Sequence, residues 1–209
     1  MSTQNATYYH LILDKSGSMN SHYEQTLEGL NEKIHSIKAI QLRNPEVPLH
    51  VSLTLFSDQP ELVFENVPAT YLSNLTENDY VVDGMTALLD AIGTTVSRME
   101  YAHGREIREN NANAMVVIFT DGHENASRIF TFKQIAAKIK ELEATGKWSF
   151  AFVGADIDAW QAAQRMNFKQ SKVYSSRKTE VKDTLSLLSE QLEMSIKLKK
   201  DGKTWDGFQ

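Results

Sequence analysis

The 209-residue chain has no cysteine, which excludes disulfides and zinc-thiolate sites and suits a reducing compartment. Proline and glycine are sparse, at 4 and 10, so a Pro/Gly-rich low-complexity or collagen-like chain is excluded as well. No apolar run approaches the ~18 residues that a membrane-spanning helix needs. The stretch Met1 to Tyr9 is polar, without the basic and then apolar regions of a signal peptide. Membrane binding is therefore not expected, and a cytoplasmic location is. A basic excess is also missing. The formal net charge is −5 and no long Lys/Arg stripe is present, which argues against a nucleic-acid surface.

What is there describes an ordinary folded protein, 41% hydrophobic and 23% charged. Its length suits one domain, expected over residues 1–200, with Asp201 to Gln209 as a C-terminal tail. Short apolar runs alternate with helical patterns, the mark of an α/β fold. Strands are expected at Tyr8 to Leu13, Val51 to Phe56, Glu61 to Glu65, Ala114 to Phe119, Ser149 to Val153 and Lys172 to Tyr174. Ser57-Asp58-Gln59-Pro60 between the second and third predicts a hairpin whose second strand lies at a sheet edge. Ala114 to Phe119 is the most apolar run and is expected at the centre of the sheet. Helices are expected at Tyr23 to Leu42, Thr86 to Tyr101, Phe132 to Glu143, Ala159 to Met166 and Glu180 to Lys199. The polar residues Gly104 to Asn113 predict a connection. The whole reads as a three-layer, doubly wound and mostly parallel sheet with one antiparallel edge strand.

Oxygen-bearing side chains concentrate where two of these strands end, in Asp14-Lys15-Ser16-Gly17-Ser18 and Thr120-Asp121-Gly122. Ligands of open α/β sheets lie just beyond the carboxyl ends of the strands. Asp14, Ser16 and Ser18 alternate, so a tight turn at Gly17 can aim all three oxygens inward. Hard oxygen donors in a small loop suit Mg²⁺, with Mn²⁺ as its substitute, whereas zinc prefers His or Cys. Taken singly, the same residues serve as helix caps and turns.

Asp-x-Ser-x-Ser after a first strand resembles the opening of the metal-ion-dependent adhesion site (MIDAS) of von Willebrand factor A domains. Thr86 follows Asp14 by 72 residues and Asp121 follows Thr86 by 35, so the full set of motif residues stands in family order. The resemblance covers roughly Tyr8 to Leu198 and points to an intracellular bacterial-type member. It implies the doubly wound, Rossmann-like fold of that family and a metal site of Asp14, Ser16, Ser18, Thr86 and Asp121. It further implies a partner protein that supplies an Asp or Glu to the ion, and a binding module rather than an enzyme. Met19 to His22, Tyr80 to Met85 and His123 to Ile129 adjoin these positions and are candidate partner-contacting loops. Two alternatives remain. A metal-dependent hydrolase or phosphotransferase is suggested by a superficial likeness to haloacid-dehalogenase phosphatases, but Ser16 stands where their catalytic Asp would be. A metal-free scaffold would bind partners through its surface alone.

Overall fold

The computed structural model describes residues 6–109, 112–121, 123–154, 157–169, 172–175, 181–203, 205 and 207–208. Six strands form one sheet: β1 (Thr7–Asp14), β2 (Leu49–Phe56), β3 (Pro60–Pro68), β4 (Asn113–Thr120), β5 (Trp148–Gly154) and β6 (Val173–Ser175). Their order across the sheet is β3-β2-β1-β4-β5-β6. All neighbours are parallel except the β2–β3 hairpin. The hairpin lies at the edge, as its turn residues require. It carries two register irregularities and a left-handed Asn66 at φ 54°.

Five helices cover the sheet: α1 (Tyr23–Arg43), α2 (Leu88–Glu109), α3 (Phe132–Glu143), α4 (Ile157–Arg165) and α5 (Val181–Lys200). Alternation along each strand sends side chains into two cores. On one face Tyr9, Leu11 and Leu13 of β1 pack with Ile34 and Ile37 of α1 and with Leu188 and Leu192 of α5. On the other face Tyr8 and Ile12 pack with Ile92 and Val96 of α2 and Ile139 of α3. Because both faces of β4 are covered, Ala114 to Thr120 are all buried, which is why that run is so apolar.

One expectation is corrected. Helix α2 does not stop at Tyr101. It runs on through Glu109, since the polar stretch there still turns Gly104 and Ile107 into the core and pairs Arg105 with Glu109 one turn on. At the end of α5 two lysines are engaged by neighbouring segments. Lys199 is largely buried and donates to the Ala6 carbonyl (2.9 Å) and Asn113 Oδ1 (2.8 Å), and Lys200 pairs with Glu46. The described residues after Lys200 return to the domain. Phe208 is 1% exposed within the α1/α5 core, and Trp205 packs edge-on against it. The expected helix start at Glu180, the turn residue Gly122 and the side chain of Val181 lie outside the described residues. Among the described residues no helix is long and apolar enough to cross a membrane.

Candidate metal centre

Asp14 ends β1 and is fully buried. Its Oδ1 accepts the Ser16 amide (2.7 Å) and its Oδ2 the Thr120 hydroxyl (2.5 Å), so strand β4 orients it from the side. Beyond Ser16 the chain turns into a short 3-10 helix, Gly17–His22. Ser16 sits at its cap position yet makes no side-chain cap bond, and His22 makes none at the start of α1. The capping role open to Ser16 from sequence is thus not used. The Ser16 and Ser18 hydroxyl oxygens stand 3.1 Å apart, and Ser18 donates to Asp121 Oδ1 at 2.6 Å. Asp14, Ser16, Ser18 and Asp121 therefore form one continuous oxygen cluster at the carboxyl ends of β1 and β4.

The loop that precedes Thr86 is tied to the turn after Asp14. The Gly17 amide donates to the Gly84 carbonyl (3.0 Å), and the Asp83 amide donates to the Lys15 carbonyl (2.9 Å). Gly84 takes φ +81°, and a Cβ there would lie 2.4 Å from Asp58 Oδ2, so only glycine fits this turn. Thr86 itself is 3% exposed. It does not supply the caps of α2. The amides of Leu89 and Asp90 are instead accepted by Glu124 Oε2 (2.9 Å) and Ser127 Oγ (3.0 Å) from across the cleft. The Thr86 amide donates to Asn125 Oδ1 (2.9 Å), and its carbonyl accepts from Asn125 and Ala126.

Several residues that build this frame were not singled out from sequence. Buried Asp90 accepts the amides of Arg128, Ile129 and Phe130, and thereby pins the loop that follows β4 onto α2. Its signal was present, as a lone carboxylate inside the apolar run Leu88-Leu89-Asp90-Ala91-Ile92. Glu124 is a structural residue of the loop rather than a solvated one, while His123 is exposed with Nε2 3.0 Å from Asp158 Oδ2. Tyr80 donates its hydroxyl to the Asp14 carbonyl (2.8 Å) and is fully buried, as is Met19. Neither can touch a partner. Exposed residues of these loops include Asn20, Ser21, Val81, Asp83, Met85, His123, Asn125, Arg128 and Ile129.

Burial pushes the Asp14 carboxyl up to about 6, against the pull of the Ser16 and Thr120 hydrogen bonds, and neighbouring Asp121 adds to the rise. Burial and the same two carboxylates push the Tyr80 hydroxyl upward. Two acids converging in a partly desolvated cleft are an environment in which a cation is favourable. Among the described residues no group of three or more His, Asp and Glu stands together. The donor set is two carboxylates and hydroxyls, a chemistry that fits a hard ion such as Mg²⁺ or Mn²⁺.

The fold recurs in solved structures. Proximal thread matrix protein 1 from the mussel byssus is 12% identical with a TM-score of 0.61, over 93% of this chain and 47% of that one. A second structure of that protein has its MIDAS motif occupied by zinc. The pilus adhesin SpaC of Lactobacillus rhamnosus GG is 14% identical with a TM-score of 0.69, over 92% of this chain and 30% of that one. A von Willebrand factor type A protein from Catenulispora acidiphila is 13% identical with a TM-score of 0.58, over 91% and 43%. The chain thus spans half or less of these structures. No curated protein matches it in sequence. The family model for the von Willebrand factor type A domain matches residues 9–124, more than half of the chain, and the chain belongs to that family.

Proposed function

We propose that this domain is a metal-dependent protein-binding module whose ion is held by Asp14, Ser16, Ser18, Thr86 and Asp121. The observation that carries the reading is the oxygen cluster itself. Ser18 bridges the loops after β1 and β4 through its contacts with Ser16 and Asp121, and Gly17 ties the Thr86 loop to the same turn. Mg²⁺ or Mn²⁺ bound here would be held largely by neutral hydroxyls, with the two carboxylates acting mainly through water and hydrogen bonds, so its charge would stay open to an Asp or Glu of a partner. The zinc-occupied motif in the byssus protein supports a metal role for this fold and makes Zn²⁺ a metal to test. Asp14 orients Ser16 through its amide, Thr120 orients Asp14, and hydroxyls provide the neutral donors. The exposed side chains Val81, Met85 and Ile129 surround the site and would meet the partner's apolar flanks. No acid/base residue follows Asp14 at the second position, so the module acts by binding rather than by catalysis. A chain without disulfides suits the cytoplasmic compartment in which we place it.

Thermal unfolding in chelator and then in Mg²⁺, Mn²⁺ or Zn²⁺ tests the site. Ligand at ~100 times its Kd stabilises by about 2.7 kcal/mol, which in a domain of this size raises Tm by roughly 5–10 °C. Thr86→Ala is expected to abolish the shift while remaining folded. No shift with any of the three ions would overturn the metal centre. The partner step has its own readout: proteins retained by the immobilised domain in Mg²⁺ should elute in chelator and should not bind Thr86→Ala. Retention that survives chelator would favour a metal-free scaffold instead.

A further inference from the structure

The segment from Leu72 to Ala87 carries Thr86 and contains neither helix nor strand. Irregular stretches of this length are uncommon inside a compact domain, and ordering one costs conformational entropy that specific ties must offset. Near its start Asn31 brackets Leu75, accepting from its amide and donating to its carbonyl, and at its end the Ala87 amide donates to the Ser57 carbonyl. Between these anchors stands Tyr80, 0% exposed.

Tyr80 makes two contacts of different kinds. Its hydroxyl donates to the Asp14 carbonyl (2.8 Å), and its ring stacks on that of Tyr23, the first residue of α1, with centroids 5.6 Å apart. One side chain therefore touches the end of β1 and the start of α1, the two elements that bracket the Ser16–Ser18 turn. The backbone continues the same stitch. The Asp83 amide donates to the Lys15 carbonyl and the Gly84 carbonyl accepts the Gly17 amide, so Tyr80, Asp83 and Gly84 meet Asp14, Lys15 and Gly17 in register. Asp14 is thus fixed at three points: Oδ1 by the Ser16 amide, Oδ2 by Thr120, and its carbonyl by Tyr80 from the segment that carries Thr86. Packing alone would be served as well by a phenylalanine, since a buried hydroxyl costs free energy unless it is bonded. The hydroxyl at this position is accounted for by the backbone it holds.

Resting on the metal-centre reading, we infer that Tyr80 is a positioning residue that fixes the spacing between the Asp14 turn and the Thr86 segment, and so makes the centre select Mg²⁺ over Ca²⁺. Mg²⁺ is small and demands a near-octahedral donor set, whereas Ca²⁺ accepts more oxygens at longer and more variable distances. A stiff frame favours the smaller ion, and a loosened one gives that advantage up. Tyr80 acts through the Asp14 backbone and touches no ion itself.

The test is calorimetric titration of the full chain, freed of metal by chelator and buffer exchange, with Mg²⁺ and separately with Ca²⁺. Tyr80→Phe keeps the ring, its burial and its stack on Tyr23, so it should fold. Its affinity for Mg²⁺ should fall about ten-fold and that for Ca²⁺ about two-fold or less, which narrows the ratio between them. Phe208→Ala is the structural control. It weakens the domain from the α1/α5 core and should keep the wild-type ratio in the folded protein. A wild-type ratio in Tyr80→Phe overturns the role given to Tyr80 and leaves the metal centre standing. Equal loss of selectivity in Phe208→Ala overturns it too, because lowered stability alone would then explain the change. Wild-type protein that binds Ca²⁺ as tightly as Mg²⁺ also sinks the inference. If wild type binds neither ion, the metal centre itself falls, and this role with it.

Discussion

Single buried polar groups carry much of this domain's conditional stability. His10 is 2% exposed, with Nε2 2.8 Å from Thr54 Oγ1 and Nδ1 lacking a partner. Burial lowers its pKa to about 3, outweighing the Glu65 carboxylate, which pulls it back up. In the unfolded chain a histidine titrates near ~6.5. Between these values the unfolded state holds a proton that the folded state refuses, so the contribution is fully present above ~6.5 and is lost as pH falls toward 3. The slope is at most one proton, ~1.4 kcal/mol per pH unit. His103, also lowered by burial, acts with the same sign. Urea unfolding between pH 7 and 4 should show His10→Gln losing stability less steeply than wild type by up to one proton. An identical proton uptake on unfolding would refute the assignment. Residues of this kind show where sequence reading ends. Asp14, Ser16, Ser18, Thr86 and Asp121 could be picked out as candidates because their order and spacing match a family motif. Thr120, Asp90 and Glu124 could not, because their partners, the Asp14 carboxylate for Thr120 and backbone amides for the two acids, are brought near only by folding.

Elements were legible in proportion to how much of their pattern was apolar. Helix α3 begins at Phe132 and ends at Glu143 as expected, since Thr131 and Gln134 form a reciprocal capping box at its start. Helix α2 misled at its far end because Gly104 and the charges around it resemble a linker, yet Ile107 is fully buried. The near end of α2 is more instructive. Its first amides are satisfied by Glu124 and Ser127, so the helix and the loop after β4 stabilise each other. Glu124 also accepts the amides of Ala126 and Ser127 and the Ser127 hydroxyl. Glu124→Ala leaves these donors without that carboxylate and is expected to cost about 1–3 kcal/mol. For a domain of this size that is a fall in Tm of roughly 2–10 °C. Because Asn125 holds the Thr86 amide, the same variant should also shrink the metal-induced Tm shift. A Tm and a metal response both equal to wild type would show that the loop is held by other means.

For the molecule as a whole, the question is whether the segment after Lys200 is part of the domain. Composition suggested a tail, because the residues around Trp205 and Phe208 are polar and no periodic pattern continues past α5. A buried aromatic contributes through contacts distant in sequence, which local pattern does not reveal. Phe208 reaches the core formed by β1, α1 and α5, and Lys203, Trp205 and Gly207 form one wall of a cavity at the amino ends of β4 and β5. Phe208→Ala is expected to destabilise by about 3–5 kcal/mol, as for other fully buried Phe side chains. Ending the chain at Lys200 should cost at least as much, since it removes Trp205 and Phe208 together. Chelator-sensitive metal binding in the same truncated protein should persist wherever it remains folded, since the oxygen cluster lies at the other end of β4 and shares no residue with that wall. Denaturant unfolding of the two variants beside wild type measures the effect. If the truncated chain unfolds at the same denaturant concentration as the full one, the returning segment is an appendage and the domain ends with α5.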